Sequence, residues 1–268
     1  MTRFSAENVN CKGEITLLRC GLLGRSLSHS RSPELHSLLG SYAYTLWEKQ
    51  ENELEPFLRG HEWDALNVTV PYKKTVVPFM DSLAPAARRT GSVNVILRRP
   101  DGTLTGDNTD VPGFSAMLTF SGLDVTGGKV LVLGSGGASA AVCAVLEDRH
   151  AQPVVISRSG KDHYGNLSVH ADARLLINAT PVGMYPASDA SPLDLRNFPR
   201  LEGVLDLIYN PPRTKLLQQA ESLGLTAVNG LYMLVEQARL SAELFTGRPI
   251  PASETPRIVN LMTKEEAL

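Results

Sequence analysis

Two short polar segments, each ending in an ionisable side chain, carry most of the chemical information in this sequence. The first spans residues 67–73 and ends in Lys73, and the second spans residues 106–110 and ends in Asp110. Both follow apolar stretches that are typical of buried strands, so each ionisable group lies just beyond a strand. A positioned amine and carboxylate are suited to proton transfer. We therefore predict that Lys73 and Asp110 form an acid/base pair.

A glycine-rich turn follows further along the chain, between an apolar strand at 129–133 and an alanine-rich helix at 138–146. Glycines at such a turn let backbone N–H groups and the positive end of the helix approach a pyrophosphate, because no side chain intervenes. Ser139 stands where the usual fingerprint has glycine or alanine. The turn predicts a dinucleotide site built from Gly134, Ser135, Gly136, Gly137 and Ala138.

The end of the next predicted strand, 153–156, indicates which dinucleotide binds. NAD sites usually place an acid here, about 20 residues after the turn, to bind the ribose 2′-hydroxyl. This strand is followed instead by Ser157, Arg158 and Ser159, with Lys161 beyond them. Arginine offers a rigid fork of donors that suits a phosphate group. We therefore predict NADP as the cofactor.

The elements that must position these groups alternate between strand and helix, which predicts a parallel α/β architecture. A strand–turn–strand pattern at 93–106 predicts a hairpin with a type I′-like turn at Asp101 and Gly102. The other predicted strands are 16–23, 42–47, 65–70, 175–178 and 204–208, and the other predicted helices are 32–39, 51–58, one beginning at Lys73, and 231–245.

Composition excludes several classes of function. The 268 residues are 43% hydrophobic and 20% charged, with a net charge of −2, which suits a globular protein with a full core and not a nucleic-acid-binding one. We find no apolar run near the roughly 18 residues of a membrane span and no signal peptide. Cys11, Cys20 and Cys143 are an odd number of cysteines without metal-type spacing, and the histidines are scattered. We expect a cytoplasmic protein with reduced thiols and no metal.

Polar segments at 28–33, 67–73 and 108–110, together with Asn94, offer hydroxyls, carboxamides, an amine and a carboxylate, which suits a small polyhydroxylated acid as substrate. With these segments the chain resembles the shikimate dehydrogenase family from Gly21 to about Gly247. The motifs that carry the resemblance are Ser-His-Ser-Arg-Ser-Pro at 28–33, Asn-Val-Thr-Val-Pro-Tyr-Lys at 67–73, Gly-Asp-Asn-Thr-Asp at 106–110, the glycine turn, Asn-Ala-Thr-Pro at 178–181, Asp-Leu-Ile-Tyr-Asn-Pro at 206–211 and Asn-Gly at 229–230.

The resemblance implies two α/β domains: a substrate domain formed by residues 1–111 and completed by the C-terminal helices at 238–268, and a Rossmann-like NADP domain at 112–237. It implies that Lys73 and Asp110 flank the reacting group of the substrate. The implied substrate-binding residues are Ser30, Ser32 and Tyr209 near the carboxylate, and Thr69, Asn94 and Gln237 at the ring hydroxyls. The implied cofactor-binding residues outside the two loops are Asn178, Thr180, Gly230 and Met233.

The implied reaction is the reversible, NADPH-dependent reduction of 3-dehydroshikimate to shikimate, a step towards chorismate and the aromatic amino acids. Alternatives are a quinate/shikimate dehydrogenase using NAD, a catalytically silent regulator on the same fold, and an amino-shikimate pathway enzyme. Lys73 acts either by transferring the proton or by stabilising alkoxide charge. The chain departs from the family pattern at Val95, Tyr232 and Asp162, the last replacing a cation near the adenosine site. The sequence leaves monomer and homodimer both open.

Overall fold

The computed structural model describes residues 7–9 and 15–265. The chain divides into two compact units, the first formed by residues 1–109 and 235–268 and the second by residues 110–234. The sequence-based boundaries lie two or three residues later at each crossing, between 111 and 112 and between 237 and 238. Each unit has its own sheet and its own apolar core.

The first unit contains a mixed sheet. Its elements up to Asp107 are β1 (Glu7–Val9), β2 (Ile15–Leu17), β3 (Arg19–Gly24), α1 (Ser32–Leu39), β4 (Ala43–Glu48), α2 (Leu54–Arg59), β5 (Ala65–Val68), β6 (Ser82–Leu83), α3 (Pro85–Thr90), β7 (Val95–Arg98) and β8 (Leu104–Asp107). The six-stranded sheet has the order β4-β3-β5-β7-β8-β6. Strands β4, β3 and β5 are parallel, whereas β7 runs antiparallel to both β5 and β8. The antiparallel hairpin β7–β8 therefore extends a parallel core.

Burial explains why β3 and β5 are almost continuously apolar. Every residue of β5 is buried, as is every residue of β3 after Arg19. Parallel strands covered on both faces carry such runs instead of an alternating pattern. The largest side chains of the core beside them are Trp63 and Tyr72, both fully buried.

The second unit contains a five-stranded parallel sheet. Its elements are α4 (Asp110–Ser121), β9 (Lys129–Leu133), α5 (Gly137–Asp148), β10 (Gln152–Ile156), β11 (Leu175–Asn178), β12 (Gly203–Asp206), α6 (Lys215–Ser222) and β13 (Thr226–Val228). The strand order is β10-β9-β11-β12-β13, and every pairing is parallel. The direction of winding reverses beside β9. In open α/β sheets, ligands bind at the carboxyl ends of the strands at such a switch point, and the glycine turn follows β9.

Two C-terminal helices complete the fold: α7 (Leu231–Thr246), which begins in the second unit and continues in the first, and α8 (Glu254–Glu265). The guanidinium of Arg239 on α7 is nearly buried and pairs with Glu236 and Glu243. It also donates to the carbonyl oxygen of Ile250 at 2.6 Å, and Thr255 on α8 donates to Glu236. This buried polar cluster fixes the segment between the two helices.

The predicted α/β class is confirmed, but several local predictions are wrong. The strand predicted at 16–23 is interrupted at Leu18, because β2 ends at Leu17 and β3 begins at Arg19. No α-helix begins at Lys73: residues 71–76 form turns and a short 3₁₀ helix follows. A helix there would meet Pro78 in its interior, where proline removes a hydrogen bond and clashes with the preceding turn.

The hairpin turn between β7 and β8 is also not type I′. The N–H of Gly102 donates to the carbonyl oxygen of Arg99 at 2.9 Å. Gly102 has a φ of +85°, whereas among the described residues other than glycine only His150 has a positive φ, so Asp101 does not. A type I′ turn needs positive φ at both central residues. Pro100 at the second position suits a type I turn, with Gly102 after it in the left-handed region.

Candidate active site

Four buried neutral side chains in the first unit form a continuous hydrogen-bonded chain, called here the amide–hydroxyl network: Asn67, Asn94, Thr109 and Ser241. The Nδ2 of Asn67 donates to Ser241 Oγ at 2.8 Å, and Ser241 Oγ lies 3.1 Å from Thr109 Oγ1. The Nδ2 of Asn94 donates to Thr109 Oγ1 at 3.0 Å, while its Oδ1 accepts from the Thr109 N–H at 2.7 Å. The network thus joins the end of β5, the start of β7, the end of β8 and α7.

An aromatic group adjoins this network. The Tyr44 hydroxyl donates to Asn67 Oδ1 at 2.9 Å, and the His36 ring stacks on Tyr44 with centroids 4.0 Å apart. Burial lowers the pKa of His36 to about 3, against a hydrogen bond with Asn67 that raises it. Burial raises the pKa of Tyr44 well above its usual value, with a hydrogen bond to Ser32 opposing. His36 is therefore a neutral packing residue.

The two predicted carboxylate-binding serines lie together at the start of α1. Ser30 Oγ lies 3.1 Å from Ser32 Oγ and accepts from the Ser32 N–H at 3.2 Å. Pro33 follows at the first turn of α1, where its missing N–H costs nothing. Both serines are partly exposed, so a small anionic group can reach two adjacent hydroxyls, of which Ser30 Oγ donates to Ser32 Oγ.

Backbone contacts bring the 69–73 segment next to the amide–hydroxyl network. The Thr69 N–H donates to the carbonyl oxygen of Leu23 at 2.9 Å, which continues the β3–β5 pairing past the end of β5. The Val93 N–H donates to the carbonyl oxygen of Lys73 at 2.7 Å. Lys73 is half-buried and is therefore tied to the residue that precedes Asn94. Gln237 is placed one turn before Ser241 on α7, and its carbonyl oxygen accepts from Ser241 Oγ at 2.8 Å.

Asp110 directly follows Thr109 and is the first residue of α4, with 3% of its surface exposed. A carboxylate is favoured at a helix N-terminus, because the unpaired N–H groups and the helix dipole present positive charge there. Its backbone position is fixed from one side by Thr109, whose N–H and hydroxyl both contact Asn94. Lys73 belongs to the first unit and Asp110 opens the second.

Two glycines of the glycine turn in the second unit, Gly134 and Gly136, differ in their structural role. Gly134 has a φ of +104°, and a Cβ added there would lie 3.0 Å from the carbonyl oxygen of Ala179. Gly136 has extended backbone and precedes α5, and a Cβ added there would meet nothing within 4 Å. Gly134 is therefore required by the fold, whereas Gly136 leaves open space at the N-terminus of α5. Ser139 is buried on α5, and the exposed neighbours Ser135 and Gly136 are the accessible part of the turn.

A second set of polar groups, called here the carboxylate network, lies at the ends of β11 and β12: the buried Asn178, Asp206 and Thr214 and the half-buried Thr180. Asn178 Oδ1 accepts from the N–H and hydroxyl of Thr180 at 3.0 and 2.7 Å, and its Nδ2 donates to Asp206 Oδ1 at 3.0 Å. Asp206 also accepts from the Ile208 N–H at 3.1 Å and the Thr214 hydroxyl at 2.7 Å. Burial raises the pKa of Asp206 to about 6, although these three hydrogen bonds oppose the shift.

The predicted adenosine loop after β10 is tightly folded. Its side chains Arg158, Ser159 and Lys161 are exposed, and Ser157 is half-buried. A Cβ added at Gly160 would lie 2.6 Å from Ser157 Oγ. Burial raises the pKa of Tyr164, and the positive charge of Arg158 opposes this shift.

The remaining predicted residues lie where the chain passes from β12 to α7. The Gly230 N–H donates to the carbonyl oxygen of Ile208 at 3.0 Å, and a Cβ at Gly230 would lie 2.1 Å from the carbonyl oxygen of Leu207. Gly230 is therefore required by backbone packing. Tyr209 is half-buried. Met233 packs into the apolar core of the second unit, so packing accounts for it without a ligand, and its contact with nicotinamide stays a prediction.

Sequence reasoning missed Ser241, Asp206 and Thr214 as site-forming residues. Asp206 carried a usable signal, since an acid that directly follows a buried strand must find hydrogen-bond partners. Ser241 carried none, because it lies 174 residues from Asn67 along the chain. Residues 7–9 and 15–265 contain no group of three or more His, Cys, Asp or Glu side chains arranged to hold a metal. Within the same ranges no helix is long and apolar enough to cross a membrane.

Comparison with known proteins supports one family consistently. The family model for the shikimate dehydrogenase substrate binding domain matches residues 22–96, and that for the shikimate 5′-dehydrogenase C-terminal domain matches residues 230–255. The NADP(+)-dependent shikimate dehydrogenase of Clostridium perfringens strain SM101 is 34% identical over 260 residues, covering 89% of this chain and 96% of the relative.

Solved structures agree with this result. Shikimate dehydrogenase 1 from Peptoclostridium difficile has a TM-score of 0.86 and 35% identity, covering 93% of this chain and 99% of that one. Shikimate 5-dehydrogenase from Thermus thermophilus, in complex with NADP(H) and shikimate, has a TM-score of 0.79 and 32% identity, covering 91% of this chain and 99% of that one. The chain therefore belongs to the shikimate dehydrogenase family.

Proposed function

We propose that this chain is an oxidoreductase that catalyses the reversible, NADPH-dependent reduction of 3-dehydroshikimate to shikimate, on the route to chorismate and the aromatic amino acids. The observation that carries the proposal is the near full-length similarity to NADP(+)-dependent shikimate dehydrogenases. The chain also has both ionisable residues that the resemblance assigns to the reaction, Lys73 and Asp110. A silent regulator would need neither of them.

For substrate binding, we assign the carboxylate to Ser30 and Ser32, whose hydroxyls are adjacent and accessible. Thr69, Asn94 and Gln237 are assigned to the ring hydroxyls. Thr69 and Gln237 are partly exposed, whereas Asn94 is 2% exposed and has both ends of its carboxamide held by Thr109, so its orientation is fixed before substrate binds. A preorganised amide presents its groups to substrate with little loss of entropy. Tyr209 stays assigned to the region of the carboxylate.

The second unit fits NADP at the carboxyl ends of its parallel strands. Gly136 leaves space in front of the N-terminus of α5, where the pyrophosphate would accept from backbone N–H groups. The exposed Arg158 and Lys161 provide positive charge for the 2′-phosphate. When bound, the reduced nicotinamide supplies the hydride that the carbonyl carbon of the substrate receives. Thr180, held by Asn178, and Gly230 would border the dinucleotide.

Lys73 is proposed to donate a proton, or a charged hydrogen bond, to the carbonyl oxygen as it becomes a hydroxyl. Asp110 is proposed to orient the ammonium and to balance its charge, because a carboxylate near an ammonium favours the charged form. The small-molecule partner is shikimate or 3-dehydroshikimate. A cytoplasmic location and a monomeric or dimeric state remain predictions.

Initial rates with NADP and with NAD, each against shikimate and quinate, test the assignment. We expect turnover with shikimate and NADP to exceed the other combinations. A preference for NAD or quinate would retain the fold and the Lys73 chemistry but replace the proposed biosynthetic role. Absence of turnover with all four combinations would reject the enzymatic proposal.

The catalytic role of Lys73 is tested by Lys73→Ala. We expect kcat to fall by about 10²–10⁴-fold, the range for loss of a positioned acid or base, with a much smaller change in substrate affinity. Lys74→Ala is the matched control, because Lys74 is the adjacent exposed lysine, and it should retain activity. A loss confined to KM in the Lys73 variant would reject the catalytic role.

The dinucleotide site is tested by Gly136→Ala. The added Cβ meets no atom of the protein within 4 Å, so the melting temperature should stay within a few degrees of the wild type. NADP binding should weaken by tenfold or more, because the methyl group would stand between the backbone N–H groups and the pyrophosphate, about 1.4 kcal/mol per tenfold. Unchanged NADP affinity would place the pyrophosphate elsewhere.

A further inference from the structure

The loop after β10 folds back so that an acidic residue, Asp162, lies beside the end of this strand. Residues at this strand end distinguish NADP from NAD. The Ser157 N–H donates to the carbonyl oxygen of Asp162 at 3.1 Å. Residue 157 also forms an isolated parallel bridge with His163. These two contacts place the backbone of Asp162 beside the end of β10. In NAD sites, an acid at this strand end binds the ribose 2′-hydroxyl.

His170 holds this acid. Its Nε2 lies 2.9 Å from Asp162 Oδ1, and the two side chains are only 10% and 27% exposed. A carboxylate oxygen accepts and does not donate, so Nε2 carries the proton. The other ring nitrogen, Nδ1, is buried and has no hydrogen-bond partner. The hydrogen bond to Asp162 is thus the one that defines the orientation of the imidazole.

The loop after β10 carries charges of both signs close together in sequence. Arg158 and Lys161 are exposed cations suited to a 2′-phosphate. A free carboxylate at position 162 would repel that phosphate and would accept a hydrogen bond from a 2′-hydroxyl instead. The hydrogen bond from His170 occupies one oxygen of this carboxylate, Asp162 Oδ1, and fixes the direction in which the acid points.

We propose that His170 sets the preference of this chain for NADP over NAD by holding the Asp162 carboxylate away from the ribose 2′ position. The inference rests on the proposed function, because it concerns the cofactor site of that enzyme. His170 is a positioning residue in this scheme and acts only through Asp162. The chemical group that the pair discriminates is a phosphate against a hydroxyl on the 2′ carbon of an adenosine ribose.

Binding of 2′,5′-ADP and 5′-AMP to the full chain, measured by isothermal titration calorimetry, tests the proposal, because these two probes differ only in the 2′-phosphate. His170→Leu should weaken 2′,5′-ADP by about fivefold or more without weakening 5′-AMP. Leucine is chosen because the buried Nδ1 already lacks a partner, so the substitution releases only the Asp162 carboxylate, which is 27% exposed. Adding Asp162→Asn to His170→Leu should restore 2′,5′-ADP binding, and His170→Gln, which retains a donor, should resemble the wild type.

Lys129→Met is the matched control. It breaks another ion pair of the second unit, with Asp172, at the amino end of β9, and it should leave the ratio of the two affinities unchanged. Circular dichroism and thermal melting verify that each variant is folded. The proposal is overturned if His170→Leu weakens both probes equally, if it changes neither, or if Asp162→Asn fails to restore binding in that background.

The outcomes also separate this inference from the proposed function. A wild-type chain that prefers 5′-AMP would reject the NADP assignment and the inference together. A wild-type preference for 2′,5′-ADP with no rescue by Asp162→Asn would reject the inference alone. A chain that passes the rescue test but does not oxidise shikimate with NADP would reject the proposed reaction and support the inference.

Discussion

Each unit buries a polar network beside the segments that carry the predicted site, but the two networks are chemically different. The amide–hydroxyl network of the first unit contains only neutral groups and joins strands β5, β7 and β8 to α7. The carboxylate network of the second unit centres on Asp206, which accepts hydrogen bonds from Asn178, Ile208 and Thr214. The first network connects distant parts of the chain, whereas the second connects successive strand–helix loops.

The titratable group in or beside each network responds to pH in the opposite direction. His36, next to the amide–hydroxyl network, has a pKa lowered by burial to about 3, so its protonation on acidification opposes folding. Asp206 has a pKa raised by burial to about 6, so its ionisation as pH rises opposes folding. The first unit is therefore most stable when His36 is neutral. In the second unit the ionised carboxylate of Asp206 itself lowers the free energy of unfolding.

The largest effect is expected from removing the centre of the second network. Asp206→Ala would leave the Ile208 N–H and the Thr214 hydroxyl without their acceptor and would remove one partner of Asn178. We expect the free energy of unfolding at pH 7 to fall by about 3–5 kcal/mol, since each unsatisfied buried donor costs roughly 1–3 kcal/mol. Urea denaturation measures this. Asp172→Ala is the control, because this aspartate is exposed, and it should lower the free energy of unfolding by about 1 kcal/mol or less. Similar losses in the two variants would contradict the conclusion that the hydrogen bonds of Asp206 stabilise the second unit.

The acid sensitivity of the first unit should depend on His36. Its folded pKa is lower than its unfolded value of 6.5, so the unfolded state binds the extra proton between about pH 6.5 and 3. Its contribution to stability is complete above pH 6.5 and is lost as pH falls through that window, by about 3 kcal/mol between pH 7 and pH 4. His36→Phe keeps an aromatic ring against Tyr44 and should flatten this part of the stability profile. An unchanged acid slope would show that His36 is not the responsible group.

The second unit should show the reverse slope, carried by Asp206. Its folded pKa is above its unfolded value of 3.8, so the folded state holds the proton between about pH 3.8 and 6. Stability from this group is present below pH 3.8 and is lost as pH rises through 6, by about 2–3 kcal/mol. Asp206→Asn should therefore gain stability relative to the wild type as pH rises from 4 to 7. A constant difference between the two proteins over that range would contradict the raised pKa.

The smallest effect is expected for a neutral hydroxyl. Ser241→Ala removes the acceptor of Asn67 Nδ2 and should cost about 1–2 kcal/mol, with no change in pH slope, because no charge is involved. Ser222→Ala is the control, since that serine is exposed and, like Ser241, donates to a helix carbonyl oxygen. If the loss of stability in Ser241→Ala changed with pH, it would contradict the conclusion that the amide–hydroxyl network contains only neutral groups.

The elements that the sequence predicted best are those with a strong local signal. Strands β5, β9 and β11 are short apolar runs bounded by polar or glycine residues, and the helix after the glycine turn is rich in alanine. Helix α4 was not predicted, because Pro112 and Gly113 lie near its start and resemble a break between elements. Proline is tolerated in the first turn of a helix, where the N–H has no partner in any case. The helix is then held by Phe114 and Met117 in the core.

The sequence by itself determined the family, the two-domain α/β class and the residues assigned to the reaction, because these depend on local patterns in fixed order. Only the tertiary structure decided which polar groups are buried together. Ser241 meets Asn67 across 174 residues, and Asp162 meets His170 through the folding of one loop. Such pairings depend on which segments the packed sheets bring together, and burial then sets the pKa values of His36 and Asp206.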